Sequence, residues 1–381
     1  MPKPLAPETI AAQAGGTVDA QTGAIIPPIH LATTYLRDAD NQYRRGYAYS
    51  RPDNPLARQV EDVLCQLEGG EKAFLFGSGM SAATAAFLAL ERPAHIVAPE
   101  IMYWGLKKWL AEDAPHLGLR ATFVNGTSIE AMRSAIEPGV TRMLWVETPA
   151  NPMWGITDIR AAAAAAHAAG ALLGVDSTVA TPVLTTPLAL GADVVMHSAT
   201  KYLNGHSDVL AGALAVARAD AYADRLARVR AMLGLVVGPL EASLLLRGMR
   251  TLHLRVRHQS ASAMEIARHF ASHDRVGSVL YPGLPGDPGH AVAAGQMHGG
   301  FSGMLSLRVA GGEPAAIRTA ANVKLWKRAT SLGGVESLIE HRASVEGPGT
   351  PCPDDLLRLS VGLEAPADLI ADLEQALIAN A

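Results

Sequence analysis

Between residues 46 and about 235, short apolar runs alternate with stretches of helical periodicity. "KAFLF" (72–76), "HIVAP" (95–99), "ATFVN" (121–125), "RMLWVE" (142–147), "ALLGVD" (171–176) and "DVVMHS" (193–198) read as buried strands. Between them, "SAATAAFLALE" (81–91) and "DIRAAAAAAHAAG" (158–170) read as helices, with His167 simply tolerated inside an alanine-rich tract. This alternation predicts a mostly parallel sheet covered by helices on both faces.

The flanks read differently. Residues 1–45 have little periodicity and contain Pro27 and Pro28, which suggests an arm lying across another surface. A long helical segment over 238–274 leads into a smaller C-terminal α+β region (236–381), where "GFSGMLSLRVAG" and "LLRLSVGLE" read as strands of a separate sheet. The expected organisation is therefore arm (1–45), large domain (46–235) and C-terminal domain (236–381).

Composition narrows the function. With 49% hydrophobic and 18% charged residues the chain has the make-up of a globular protein, and its length of 381 residues suits a large domain plus a small one. The net charge of −4 offers no basic field for nucleic acid. Only Cys65 and Cys352 are present, which suits a reducing cytoplasm. The first residues lack the apolar core of a signal peptide, and no run approaches the length a membrane helix needs.

Four features gather at the carboxyl ends of the expected strands, where open α/β sheets bind ligands. "LFGSGM" places Gly77-Ser78-Gly79-Met80 before a helix, which makes either an anion cup or a plain turn. Asp176, followed by Ser177 and Thr178, ends a strand and could merely cap the next turn. "HSATKYLNGHSD" (197–208) places Lys201 behind Ser198 and Thr200; alone, such a lysine is a solvated charge. Tyr103 follows "HIVAP" and could be core packing. Together they have one economical explanation, pyridoxal 5′-phosphate, which needs an amine, an acid for its ring nitrogen, a phosphate cup and a flat group over its ring. No Gly-x-Gly-x-x-Gly, Walker loop or Gly-x-Ser-x-Gly elbow supports a dinucleotide-binding or hydrolase alternative, and no metal site is indicated.

"YSRPDNP", "GSGM", "VETPANP", "DST", "HSATKYLNGHSDV", "RGMRTL", "YPGL", "SLGGVESL" and "LRLSVGLE" occur in order from residue 49 to 364, within a likeness that begins at about residue 26. In these the chain resembles the Cys/Met-metabolism enzymes dependent on pyridoxal phosphate, the group of cystathionine γ-synthase, γ-lyase and β-lyase. The resemblance implies fold type I. It implies Lys201 as the Schiff-base lysine and base, Asp176 as partner of the pyridinium nitrogen, and Tyr103 as the stacking ring and a catalytic group. It places Gly79, Met80, Thr178, Ser198 and Thr200 around the cofactor, and makes Tyr49 and Arg51 a pair reaching the phosphate from a neighbouring subunit of a homotetramer. Arg358 would grip the substrate α-carboxylate with Asn151 and Ser331 as helpers, and Glu336 would meet a distal amino group.

The departures bear on the substrate. Tyr103-Trp104-Gly105-Leu106 is bulkier than the usual Tyr-Gly-Gly-Thr or Tyr-Gly-Cys-Thr, and Gly105 stands where methionine γ-lyases carry cysteine. Ser177 replaces the usual asparagine, and "RASVEGPGTP" replaces Pro-Ala-Ser-Met-Thr-His after "SLIEH". "SLGG" argues against a bacterial β-lyase. The expectation is γ-elimination or γ-replacement on cystathionine or an O-acylhomoserine in the cytoplasm. Cystathionine β-lyase is the alternative, and a non-catalytic cofactor-binding regulator the remote one.

Overall fold

The computed structural model describes residues 5–347 and 349–379; residues 1–4, 348 and 380–381, which belong to the expected arm, the "RASVEGPGTP" run and the C-terminus, lie outside the described residues. Strands β1 (Lys72–Phe76), β2 (Ala94–Pro99), β3 (Leu119–Val124), β4 (Thr141–Glu147), β5 (Leu172–Asp176), β6 (Val194–His197) and β7 (Gly212–Val216) form one sheet in the order β1-β7-β6-β5-β4-β2-β3. The pairs among β2 to β6 are parallel, and β7 runs antiparallel to both β1 and β6.

Alternation along each strand supplies both faces. Phe74 and Phe76 of β1 join Trp145, Met196 and Leu214 under the helices Gly79–Leu88 and Ala221–Leu233. Ala73 and Leu75 point the other way, toward the helices Pro55–Glu68 and Pro239–Met249. On that same side, Leu173, Val175 and Val195 pack on the alanine-rich helix Ile159–Ala168. His167 in that helix is more than tolerated: its Nε2 lies 2.8 Å from Asp193 Oδ2.

The six strands read from the sequence are present, with ends moved by one or two residues. β7 went unread because "GALAV" is small and almost free of β-branched residues. All of it is buried, and Gly212 begins it because a Cβ there would stand 2.0 Å from the Ser78 carbonyl oxygen. Packing, not propensity, makes this strand.

The second sheet contains β8 (Val276–Leu280), β9 (Met304–Val309), β10 (Lys327–Arg328), β11 (Leu338–His341) and β12 (Leu356–Ser360), in the order β10-β11-β12-β9-β8. Helices Leu252–Phe270, Gly312–Asn322 and Pro366–Ile378 bury one face of it. The helical segment over 238–274 is two helices rather than one, broken at Thr251 (φ −112°, ψ 10°). At the break the buried Gly248 carbonyl accepts from the Thr251 amide at 3.2 Å and from the Arg255 guanidinium at 2.7 Å.

The loop after β4 ties the two sheets together. Trp154 Nε1 donates to Ser306 Oγ of β9 at 2.8 Å, and Ser306 Oγ donates to the Pro152 carbonyl at 2.8 Å. Gln296 Nε2 donates to the Thr157 carbonyl at 3.0 Å, while Gln296 Oε1 accepts from Ile159 N at 3.2 Å.

Candidate active site

The carboxyl ends of β4, β5 and β6 deliver Glu147, Asp176 and His197 to one rim. A cavity of about 190 Å³ opens there, lined by Gly79, Met80, Asp176, Thr178, Ser198 and Thr200 with Tyr103 and Lys201. A larger cavity of about 820 Å³ adjoins it and shares Tyr103, Asn151 and Lys201, adding Ser331 and Arg358 from the second sheet's side.

The helix Gly79–Leu88 points its N-terminus into the smaller cavity. Ser78 caps it, and Ser78 with Ser81 satisfy each other's backbone amides. A Cβ on Gly79 would lie 2.8 Å from Ser198 Oγ, so glycine lets the helix start press against that hydroxyl. Thr178 Oγ1 accepts from Ser198 N at 2.8 Å and so sets Ser198 in place. The Thr200 hydroxyl is spent on Ala211, donating to its carbonyl at 3.1 Å and accepting from its amide at 3.0 Å.

Lys201 sits on a turn closed by Lys201 N to the Ser198 carbonyl (3.0 Å) and Gly205 N to the Lys201 carbonyl (2.7 Å). Gly205 has φ +75°, and a Cβ there would meet Arg255 Nη1 at 1.9 Å. That buried guanidinium donates to the Tyr202 carbonyl at 2.8 Å, holding the turn from behind. Lys201 Nζ donates to Ser331 Oγ at 2.7 Å. Burial, with Arg358 adding repulsion, brings the Lys201 pKa down to about 8. Ser331 has φ +91°, a conformation that costs a residue with a side chain about 1–3 kcal/mol.

Tyr103 precedes the helix Trp104–Glu112, with its ring folded over Gly105. Its backbone amide donates to Glu147 Oε2 at 2.7 Å, and Asn151 N donates to Glu147 Oε1 at 2.8 Å. Burial, reinforced by Asp176, raises the Glu147 pKa. The sequence reading gave Glu147 no role; its signal was a carboxylate ending a buried strand, as Asp176 does, and the two are register partners.

Arg358 is nearly fully buried. Its Nη1 donates to Asn151 Oδ1 at 3.2 Å, its Nη2 donates to the Ser331 carbonyl at 2.8 Å, and the same Nη2 lies 2.6 Å from Glu340 Oε2. Three expected residues lie elsewhere. Tyr49 is exposed, and Arg51 donates to the Ala231 carbonyl at 2.7 Å, beside a separate small pocket. Glu336 accepts from the Ser207 hydroxyl and lines neither cavity.

The model of the Cys/Met metabolism PLP-dependent enzymes matches residues 8–378. The chain belongs to this family. It is 44% identical to the cystathionine gamma-synthase of Mycobacterium tuberculosis (strain ATCC 25618 / H37Rv), over 97% of this chain and 96% of that one. It is 38% identical to the cystathionine beta-lyase of Coxiella burnetii (strain RSA 493 / Nine Mile phase I), over 97% of each chain. The crystal structure of metB from Corynebacterium glutamicum superposes with a TM-score of 0.95 at 39% identity, covering 98% of both chains. The fold is therefore that of this pyridoxal-phosphate family, and the chain is a pyridoxal-phosphate-dependent enzyme of sulfur amino-acid metabolism.

The residues of this Cys/Met-metabolism enzyme fit that cofactor. Asp176 is buried, and burial raises its pKa although Thr178 N donates to its Oδ1 at 3.0 Å. Among the described residues it makes no ion pair, so the cation it lacks is the kind a protonated pyridine ring supplies. Unpaired amides at a glycine-fronted helix start suit a phosphate. No group of three or more potential metal ligands occurs among the described residues.

Proposed function

We propose that this enzyme catalyses γ-elimination or γ-replacement on cystathionine or an O-acylhomoserine-type amino acid. The observation that carries the reading is the amine of Lys201, with its pKa brought down to about 8, in one cavity with the Arg358 guanidinium. Arg358 binds the α-carboxylate through two nitrogens, a geometry that a lysine could not provide. That orients Cα toward Lys201, whose free amine takes the Cα proton and, on the γ-route, once it has given that proton up, helps take a Cβ proton. Pyridoxal phosphate, once bound, accepts the electrons left on Cα. Gly79, Met80 and Ser198 would hold its phosphate, with Thr200 beside them on the cavity wall and its hydroxyl bonded to Ala211; Asp176 would take its ring nitrogen, Thr178 steadies Ser198, and Tyr103 would cover its ring.

The similarity to a named cystathionine gamma-synthase supports the γ-route, as does "SLGG" at Ser331–Gly334. The similarity to a named beta-lyase keeps β-elimination as the second reading. The same proposal includes the division into arm, large domain and C-terminal domain, a homotetramer with Tyr49 and Arg51 crossing to a neighbour's phosphate, and a cytoplasmic location. Exposed Ile25, Ile26, Leu31 and Leu36 on the arm support assembly, and no described helix is long and apolar enough to cross a membrane.

Product analysis tests the chemistry. With L-cystathionine, the γ-route yields cysteine, ammonia and 2-oxobutyrate; with an O-acylhomoserine plus cysteine, it yields cystathionine. Dominant pyruvate and homocysteine from L-cystathionine would overturn the γ assignment in favour of the β-lyase.

A further inference from the structure

Arg342 follows β11 directly and is 2% exposed, rare for an arginine unless it is paired. Its Nη1 donates to Glu340 Oε2 at 3.0 Å, and its Nε donates to Glu346 Oε1 at 2.9 Å. The Glu340 oxygen it uses is the one that also takes Arg358, so one carboxylate oxygen is shared between two guanidinia. Arg342, Glu340 and Arg358 all line the larger cavity together with Lys201.

Charge counting shows what this sharing does. Two guanidinium cations stand against the Glu340 and Glu346 anions, so the cluster is neutral before substrate arrives. Without Arg342 it would carry a net negative charge, and an incoming carboxylate would bring a second one into a buried site, where like charges repel strongly. Glu340 would then engage Arg358 alone.

We infer that Arg342 is a positioning residue for substrate recognition: by sharing Glu340 with Arg358 and pairing with Glu346 it keeps the cluster neutral, so that Arg358 can grip an α-carboxylate without a net negative charge beside it. This rests on the reading of Arg358 given above. A purely structural Arg342 would hold the short helix Arg342–Glu346 in place and affect all ligands alike.

The test is a spectroscopic titration of the cofactor-loaded enzyme with L-alanine and with ethylamine, which is the same ligand without the carboxylate. In Arg342→Gln the dissociation constant for L-alanine should rise about tenfold or more, while that for ethylamine stays within about twofold. Arg342→Lys should recover most of the loss. Arg342→Gln combined with Glu346→Gln returns the cluster to neutrality and should also restore L-alanine binding. An L-alanine to ethylamine ratio unchanged in Arg342→Gln, or a double variant as weak as the single one, overturns the inference. If Arg342→Gln does not fold, Glu346→Gln alone serves, since it makes the cluster positive and should tighten L-alanine several-fold; no tightening overturns the inference. Arg358→Lys tests the underlying reading separately. If its ratio stays as in the wild type, Arg358 is not the carboxylate anchor, whatever Arg342 does.

Discussion

In the proposed role Lys201 must give up its proton near neutral pH, and two influences with different origins make it do so. Burial removes water from the ammonium, and Arg358, distant in sequence, adds repulsion. Only the unprotonated amine attacks a carbonyl, so capture of pyridoxal phosphate by the unloaded protein should quicken with pH and level off above about 8. Arg358→Leu removes the repulsion, so the midpoint should move to higher pH in stopped-flow absorbance. A wild-type midpoint near the ordinary lysine value of 10.5 would refute the assignment. Reduction of the loaded enzyme with borohydride should fix the label on Lys201, and Lys201→Ala should lose turnover. Asp176 gives a prediction of opposite character. Its folded pKa is raised, so ionisation penalises the native state as pH climbs above the ordinary carboxylate range. Asp176→Asn should therefore stabilise the unloaded protein at pH 7, by about 1–3 kcal/mol, with the gain fading in acid, while turnover is lost. Denaturant melts at pH 7 and pH 4 check this. Lys201 and Asp176 were legible in the sequence because each stands at or just beyond the end of an apolar run. Glu147 and Arg342 were not, because their roles are to bond groups that only folding brings near.

Among the elements, the six strands and the two helices read over 81–91 and 158–170 were legible from alternation alone, and two of the misses share a cause. β7 and the break at Thr251 are tied to particular contacts: Gly212 to the Ser78 carbonyl, and Thr251 to the Gly248 carbonyl and the Arg255 guanidinium. Neither leaves a trace in local periodicity. The helix Gly79–Leu88 carries its own prediction. In Gly79→Ala the new methyl meets Ser198, with Oγ at 2.8 Å and Cβ at 2.9 Å, so the helix start must draw back from the phosphate position. Affinity for pyridoxal phosphate should fall about tenfold, while pyridoxal without the phosphate binds as before. Equal losses for both in an absorbance titration would mean that this helix end does not hold the phosphate.

For the whole molecule, the placement of Tyr49 and Arg51 away from Lys201 is the feature to explain. If they serve a neighbouring subunit, then Arg51→Ala and Lys201→Ala, each inactive alone, should recover part of the activity when mixed under subunit exchange. One hybrid site then holds both wild-type residues. Full activity in a strict monomer, seen by sedimentation during assay, would exclude this arrangement. The bond from Trp154 to Ser306 has a different consequence. Ser306 is the register partner of Arg358 across β9 and β12, and Trp154 belongs to the loop that leaves β4. If Arg358 is the carboxylate anchor proposed above, it and the sheet that presents the lysine are thereby pinned at a fixed span, like the jaws of a locked calliper. Every amino acid with a free carboxylate would then be gauged alike as far as Cα. Choice among substrates falls to whatever lies beyond that span, where Trp104 and Val345 form part of the wall.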